Sequence, residues 1–149
     1  MIALLQPLVV LAGWTMVMWL WMYAARLPAM SKANIDPDSL ARDPAMSLDR
    51  VLPPDVQWKA HNFNHLHEAP TVFYAVMLGL ALLYSSGELT AGLNIATWLA
   101  WAYAGLRIVH SLVQATINKV AVRFVLFCLS QTALSALILI AVLIAFGLI

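Results

Sequence analysis

Four long apolar runs, separated by polar interruptions, set the outline of this chain. They extend from about Leu4 to Arg26, Val56 to Tyr84, Thr90 to Gln114 and Val120 to Leu148. A membrane-spanning helix takes about 20 apolar residues, and each run is long enough. In the second run the purely apolar part begins only at Ala69. Short connections at Ser85–Leu89 and Thr116–Val122 make successive helices antiparallel neighbours. The pattern predicts an all-α integral membrane protein, an up-down bundle of four transmembrane helices forming a single domain over residues 1–149. The long connection, Leu27–Asp55, mixes charges of both signs with five prolines. It is expected to be a surface loop with a short helical piece near Asp38–Arg42. Pro53-Pro54-Asp55 reads as a start signal for the second helix.

Composition points the same way. Of 149 residues, 63% are hydrophobic and 10% charged, whereas soluble domains carry about 25% charged residues. A net charge of +1 leaves no electrostatic case for nucleic acid as a partner. The single cysteine, Cys128, excludes an intramolecular disulfide and reads as a small packing residue. The N-terminal stretch lacks a basic start and a small-residue cleavage site, so it reads as a retained membrane helix rather than a signal peptide. The first connection holds Lys32, Arg42 and Arg50, the third holds Lys119, and the second holds only Glu88. Lys and Arg gather on the cytoplasmic side. Both termini are therefore expected on the opposite face of the membrane, with membrane lipids as surroundings.

Two polar stripes interrupt the apolar pattern. His61, Asn64, His65 and Glu68 share one face of the second helix, and Tyr103, Arg107, His110 and Gln114 one face of the third. At about 1.5 Å per residue, Glu68 lies about 13 Å inward from Lys59 and Arg107 about 18 Å inward from Lys119. Arg26 ends the first helix and Arg123 begins the fourth at the same end. Ionisable groups at membrane depth turn toward protein or a wet cavity. Glu68 and Arg107 are expected to pair at the floor of that cavity, whose walls would be His61, Asn64, His65 and His110, with Arg26 and Arg123 lining the same cavity at the cytoplasmic end. Three readings compete. Such groups can simply hold helices together by hydrogen bonds, and Asn62 and His67, off the main stripe, fit that reading best. His61, His65, Glu68 and His110 could form a metal set, although the crowded arginines would repel a cation, and no metal ligand is assigned. Arginine with histidine and asparagine suits an anionic, peptide-like ligand better, because guanidinium grips carboxylates bidentately. Arg123 near a helix start also favours negative charge and would lower the pKa of a thiol held there.

The stretches WKAHNFNHLHEAPTVFYAV and GLRIVHSLVQATINKVAVRF make the chain resemble the MAPEG family, the membrane-associated proteins of eicosanoid and glutathione metabolism, and within it the bacterial branch. The likeness covers nearly the whole chain. It implies a homotrimer of four-helix bundles that binds glutathione, as co-substrate, between subunits near the cytoplasmic side. It implies a transferase or peroxidase that joins or reduces a small hydrophobic substrate, or alternatively a non-catalytic binder of a lipid or anionic metabolite. Glu68 matches the family's second-helix glutamate, Arg107 and His110 its Arg-x-x-His, and Arg123 the fourth-helix arginine associated with the thiolate, the catalytic position. Arg26, His61, Asn64, His65 and Gln114 fall at or near its glutathione-binding positions. The sequence departs from the family pattern at His65 for asparagine, His61 for arginine, Gln114 for tyrosine and Phe124 for serine.

Overall fold

The structure is a computed structural model that describes residues 2–42, 47–86 and 92–148. Among them the chain is helical throughout its regular parts. In order come α1 (Ile2–Lys32), α2 (Pro37–Arg42), α3 (Leu48–Val51), α4 (Pro54–Glu68), α5 (Pro70–Leu83), a single 3₁₀ turn at Tyr84–Ser86, α6 (Leu93–Thr116) and α7 (Val120–Ala145). Glu88, the expected helix start at Thr90 and the terminal Ile149 lie outside the described residues.

Two boundaries differ from the sequence reading. The first helix does not close at Arg26 but continues to Lys32. Leu27, Ala29 and Met30 favour helix, and Pro28 removes only one donor from the ladder. The end is set by Asn34, which takes the left-handed conformation (φ 49°). Ile35 N–H then donates to Met30 O (3.1 Å) and Asn34 N–H to Ser31 O (3.2 Å), closing the last carbonyls. The second run carries one interruption. Pro70 has no N–H for the Leu66 carbonyl, so one ladder bond is missing between α4 and α5, while Ala69 keeps helical dihedrals (φ −69°, ψ −39°) and Pro54–Leu83 stays a single rod.

Ile2–Lys32, Pro54–Leu83 and Val120–Ala145 are long and apolar enough to cross a membrane. α6 is long enough but carries Asn94, Arg107, His110, Ser111 and Gln114, which lower its hydropathy. Its position accounts for this: it packs on α7, α1 and α4, in the middle of the molecule. Its buried face has Ala96, Ala100 and Ala104 at one end, which let neighbouring helices approach closely, and the polar residues at the other. The apolar core beside the alanines is Leu4, Leu11 and Met18 from α1, Phe73, Met77 and Leu80 from α5, and Leu134 and Leu137 from α7. One half of the molecule is thus dry and the other half, next to the α1–α4 and α6–α7 connections, is polar inside.

Candidate functional site

The polar half is organised around Arg107, whose side chain is fully buried. Its Nη2 donates to His65 Nδ1 at 3.1 Å and lies 3.4 Å from the His65 carbonyl oxygen. One turn earlier on α6, Tyr103 donates its hydroxyl to Ala69 O at 3.3 Å, and its ring stacks on Phe73 at 4.3 Å between centroids. Tyr103 and Arg107 thus reach the backbone on either side of the α4–α5 junction, although the His65 carbonyl already accepts Ala69 N–H at 3.2 Å. His65 and His110 lie ring to ring at 5.1 Å.

These two histidines open onto a cavity of about 270 Å³, lined by His65, His110, Val120, Arg123, Phe124 and Phe127. Arg123 sits in the first turn of α7, where free N–H groups and the helix dipole add positive potential. Its Nη1 donates to Asn118 Oδ1 at 2.7 Å. Asn118 holds a left-handed backbone (φ 51°) that turns the chain from α6 into α7. One short residue thus makes the corner and fixes the guanidinium. Among the described residues neither Arg107 nor Arg123 has a carboxylate within ion-pair distance. The cavity is cationic at one wall and apolar at the other.

The expected Glu68–Arg107 ion pair does not form within the chain. Arg107 turns to His65, while Glu68 lies on the exposed side of α4. His65 and Arg107 are at the same level of two antiparallel helices, whereas Glu68 sits almost a full turn further along α4 and points outward. Asn64 is exposed on that side as well. His61 leaves the stripe for the loop, with Nε2 3.0 Å from Asp49 Oδ1, both side chains being exposed. Arg26 joins a different contact: its Nη2 donates to Gln57 Oε1 at 2.6 Å, and Gln57 Nε2 donates to the Leu48 carbonyl. The single cavity expected to gather Arg26, His61, Asn64, His65 and Arg123 is therefore divided. His65 and Arg123 line it, with His110. Arg26 and His61 fasten the loop, and Asn64 and Glu68 are exposed on the outside of the bundle. Gln114 is buried further along α6, beyond His110. Among the described residues no three of His, Cys, Asp and Glu gather as a metal set.

The sequence pattern does not single out Asn118, Phe127 or Gln57. Asn118 carried a signal in its residue type, since asparagine tolerates the left-handed conformation. Gln57 lies in the first turn of α4, off both polar stripes.

Four features now stand together: long apolar helices, a polar half with an Arg-x-x-His on the central one, an arginine at the start of the last, and a match of the MAPEG family model to residues 4–143. The chain belongs to the MAPEG family. Comparison with curated proteins and with solved structures gives no match. The match runs from the first turns of α1 to near the end of α7, so the cavity and every residue around it fall inside the MAPEG region. Membership and the three apolar spans make this MAPEG protein a membrane protein.

Proposed function

We propose that this MAPEG protein binds glutathione in the His65–His110–Arg123 cavity and uses its thiolate on lipophilic electrophiles that arrive from the bilayer. The observation that carries this reading is the pairing of Arg123 with an apolar wall. A cation without a carboxylate partner among the described residues faces a cavity completed by Phe124, Phe127 and Val120. Such a site stabilises a developing or resident anion in low dielectric and accepts a greasy co-substrate beside it. As a transferase, the thiolate sulfur bonds to the electrophilic carbon, the leaving group departs with its electron pair, and the thiol proton passes to solvent. As a peroxidase, two thiols are oxidised to a disulfide while a hydroperoxide is reduced to an alcohol and water.

This reading includes four transmembrane helices, with α6 as the fourth span shielded by its neighbours, and a homotrimer. The exposed side of the α4–α5 rod supports the assembly. Asn64, His67, Glu68 and Thr71 are exposed on one subunit near the middle of a membrane span. Lipid is a poor neighbour for a carboxylate, at a cost of about 2.5–3.5 kcal/mol on insertion scales, and a second copy of the chain would cover the stripe. Glutathione would then lie between subunits, near the cytoplasmic side.

A second reading has one observation in its favour. Phe124 is largely exposed at the mouth of the cavity, at the position where some family members carry a serine. A lipid or an anionic amphiphile could bind there with no chemistry following. Ultraviolet difference spectra of the purified protein with glutathione separate the two. The enzyme reading expects a thiolate absorbance that Arg123→Ala removes while the protein keeps its helical circular dichroism. No thiolate signal in the unaltered protein would leave the binder.

A further inference from the structure

The contact between α4 and α6 is polar deep inside the subunit, away from the cavity mouth. Asn62 is fully buried, and among the described residues neither its Oδ1 nor its Nδ2 has a partner. On α6, Arg107, His110, Ser111 and Gln114 recur at i, i+3, i+4 and i+7, share one face and are all buried. Arg107 Nε and Nη1, His110 Nδ1, Ser111 Oγ and Gln114 Oε1 also lack partners among the described residues. The antiparallel register brings the two sets to one level. Ala69 meets Tyr103 and His65 meets Arg107. One turn back along α4 from His65 is Asn62, and one turn forward along α6 from Arg107 are His110 and Ser111.

Buried donors and acceptors are satisfied in about 90% or more of cases, and a guanidinium cannot discharge itself. A neighbouring subunit cannot supply the missing partners, because Asn62, Arg107 and Ser111 have no exposed surface. Arg107 only donates, the Gln114 carbonyl only accepts, and Asn62 and Ser111 do both. The small side chains of Ala104 and Ala115 flank the stripe on the same helix face. Water is the species that is small enough and that donates and accepts at once.

We propose that the α4–α6 seam holds a file of bound water molecules, running from Arg107 past His110 and Ser111 to Asn62 and Gln114. Each subunit thereby keeps a hydrated path from the middle of the bundle toward the end where α6 turns into α7. The file solvates the Arg107 charge, and it reaches the open cavity through His110, which borders both. It does not depend on which ligand the cavity takes.

Radiolytic hydroxyl labelling of the full chain in detergent, read by mass spectrometry, tests this directly. Radicals born from a bound water label the side chains beside it even when these are buried. Leu66 lies one turn beyond Asn62 on the same face of α4 and is 1% exposed, while Leu80 and Leu137, in the dry half, are 0% exposed. Leu66 is expected to label several-fold faster than either control, and Asn62→Leu with Ser111→Ala should remove the difference. Equal rates in the unaltered protein, or labelling that persists in the double variant, would overturn the proposal. Should the double variant fail to fold, Asn62→Leu alone decides by thermal unfolding. A dry seam makes it stabilising, because two orphaned atoms disappear, so a raised melting temperature refutes the water file. An unchanged or lowered one supports it.

Discussion

The bond between Arg107 and His65 is the most exposed to test. His65→Leu removes the Nδ1 acceptor 3.1 Å from Nη2 and leaves only the longer approach to the His65 carbonyl oxygen. Hydrogen bonds to charged groups contribute about 1.5–3 kcal/mol. At about 2–4 °C per kcal/mol for a chain of this size, the expected fall in melting temperature is about 3–12 °C. Arg107→Met should cost less. It deletes the buried charge instead of stranding it, and replacing buried charge by apolar side chains of similar volume is often neutral or stabilising. The double variant should resemble Arg107→Met alone, because His65 has then lost its cationic donor. The cycle should therefore give a coupling of about 1.5 kcal/mol or more. The assay is thermal unfolding of the purified protein in one detergent, followed by circular dichroism. Losses that add within about 0.5 kcal/mol would show that the two side chains do not interact. Adding Glu68→Gln as a background should leave the coupling unchanged. A coupling that vanishes on that background would restore the carboxylate as the partner of Arg107.

Two further outcomes follow from the loop and the helix ends. Gln57→Leu strands Arg26 Nη2 and the Leu48 carbonyl, so it should cost about 1–3 kcal/mol and speed protease cleavage between residues 36 and 53, with helical content preserved; unchanged cleavage would show that Gln57 does not hold the loop. A reporter enzyme active only in the cytoplasm, fused after Ile149, should be silent, and robust activity would invert the orientation drawn from the basic connections.

The cavity differs from the sequence expectation mainly through direction. Periodicity places His61, Asn64, His65 and Glu68 on one helix face, and all four do lie on α4. A helix face spans an arc, however, and only the His65 edge of this arc meets α6. Asn62 shows the converse. It looks incidental in a linear reading, yet it falls between His65 and Leu66 around the helix axis and ends fully buried. Arg26 lies within α1, which runs on to Lys32, and its partner, Gln57, depends on how α1 packs against α4.

The amino-acid sequence alone decided what depends on composition and period. The apolar runs, the polar end of α6 and the basic residues at the loop-side end follow from residue type and spacing, because bilayer thickness and helix pitch act locally. Only the tertiary structure decided which polar groups meet. Arg107 selects His65 over Glu68 because α4 and α6 run antiparallel in a fixed register, set by the alanine face of α6 and by Tyr103 stacked on Phe73. Arg123 faces the cavity because Asn118 turns the chain in a left-handed corner and accepts its hydrogen bond. Rotation of one helix about its axis by a single residue would change each of these partners and leave every sequence pattern intact.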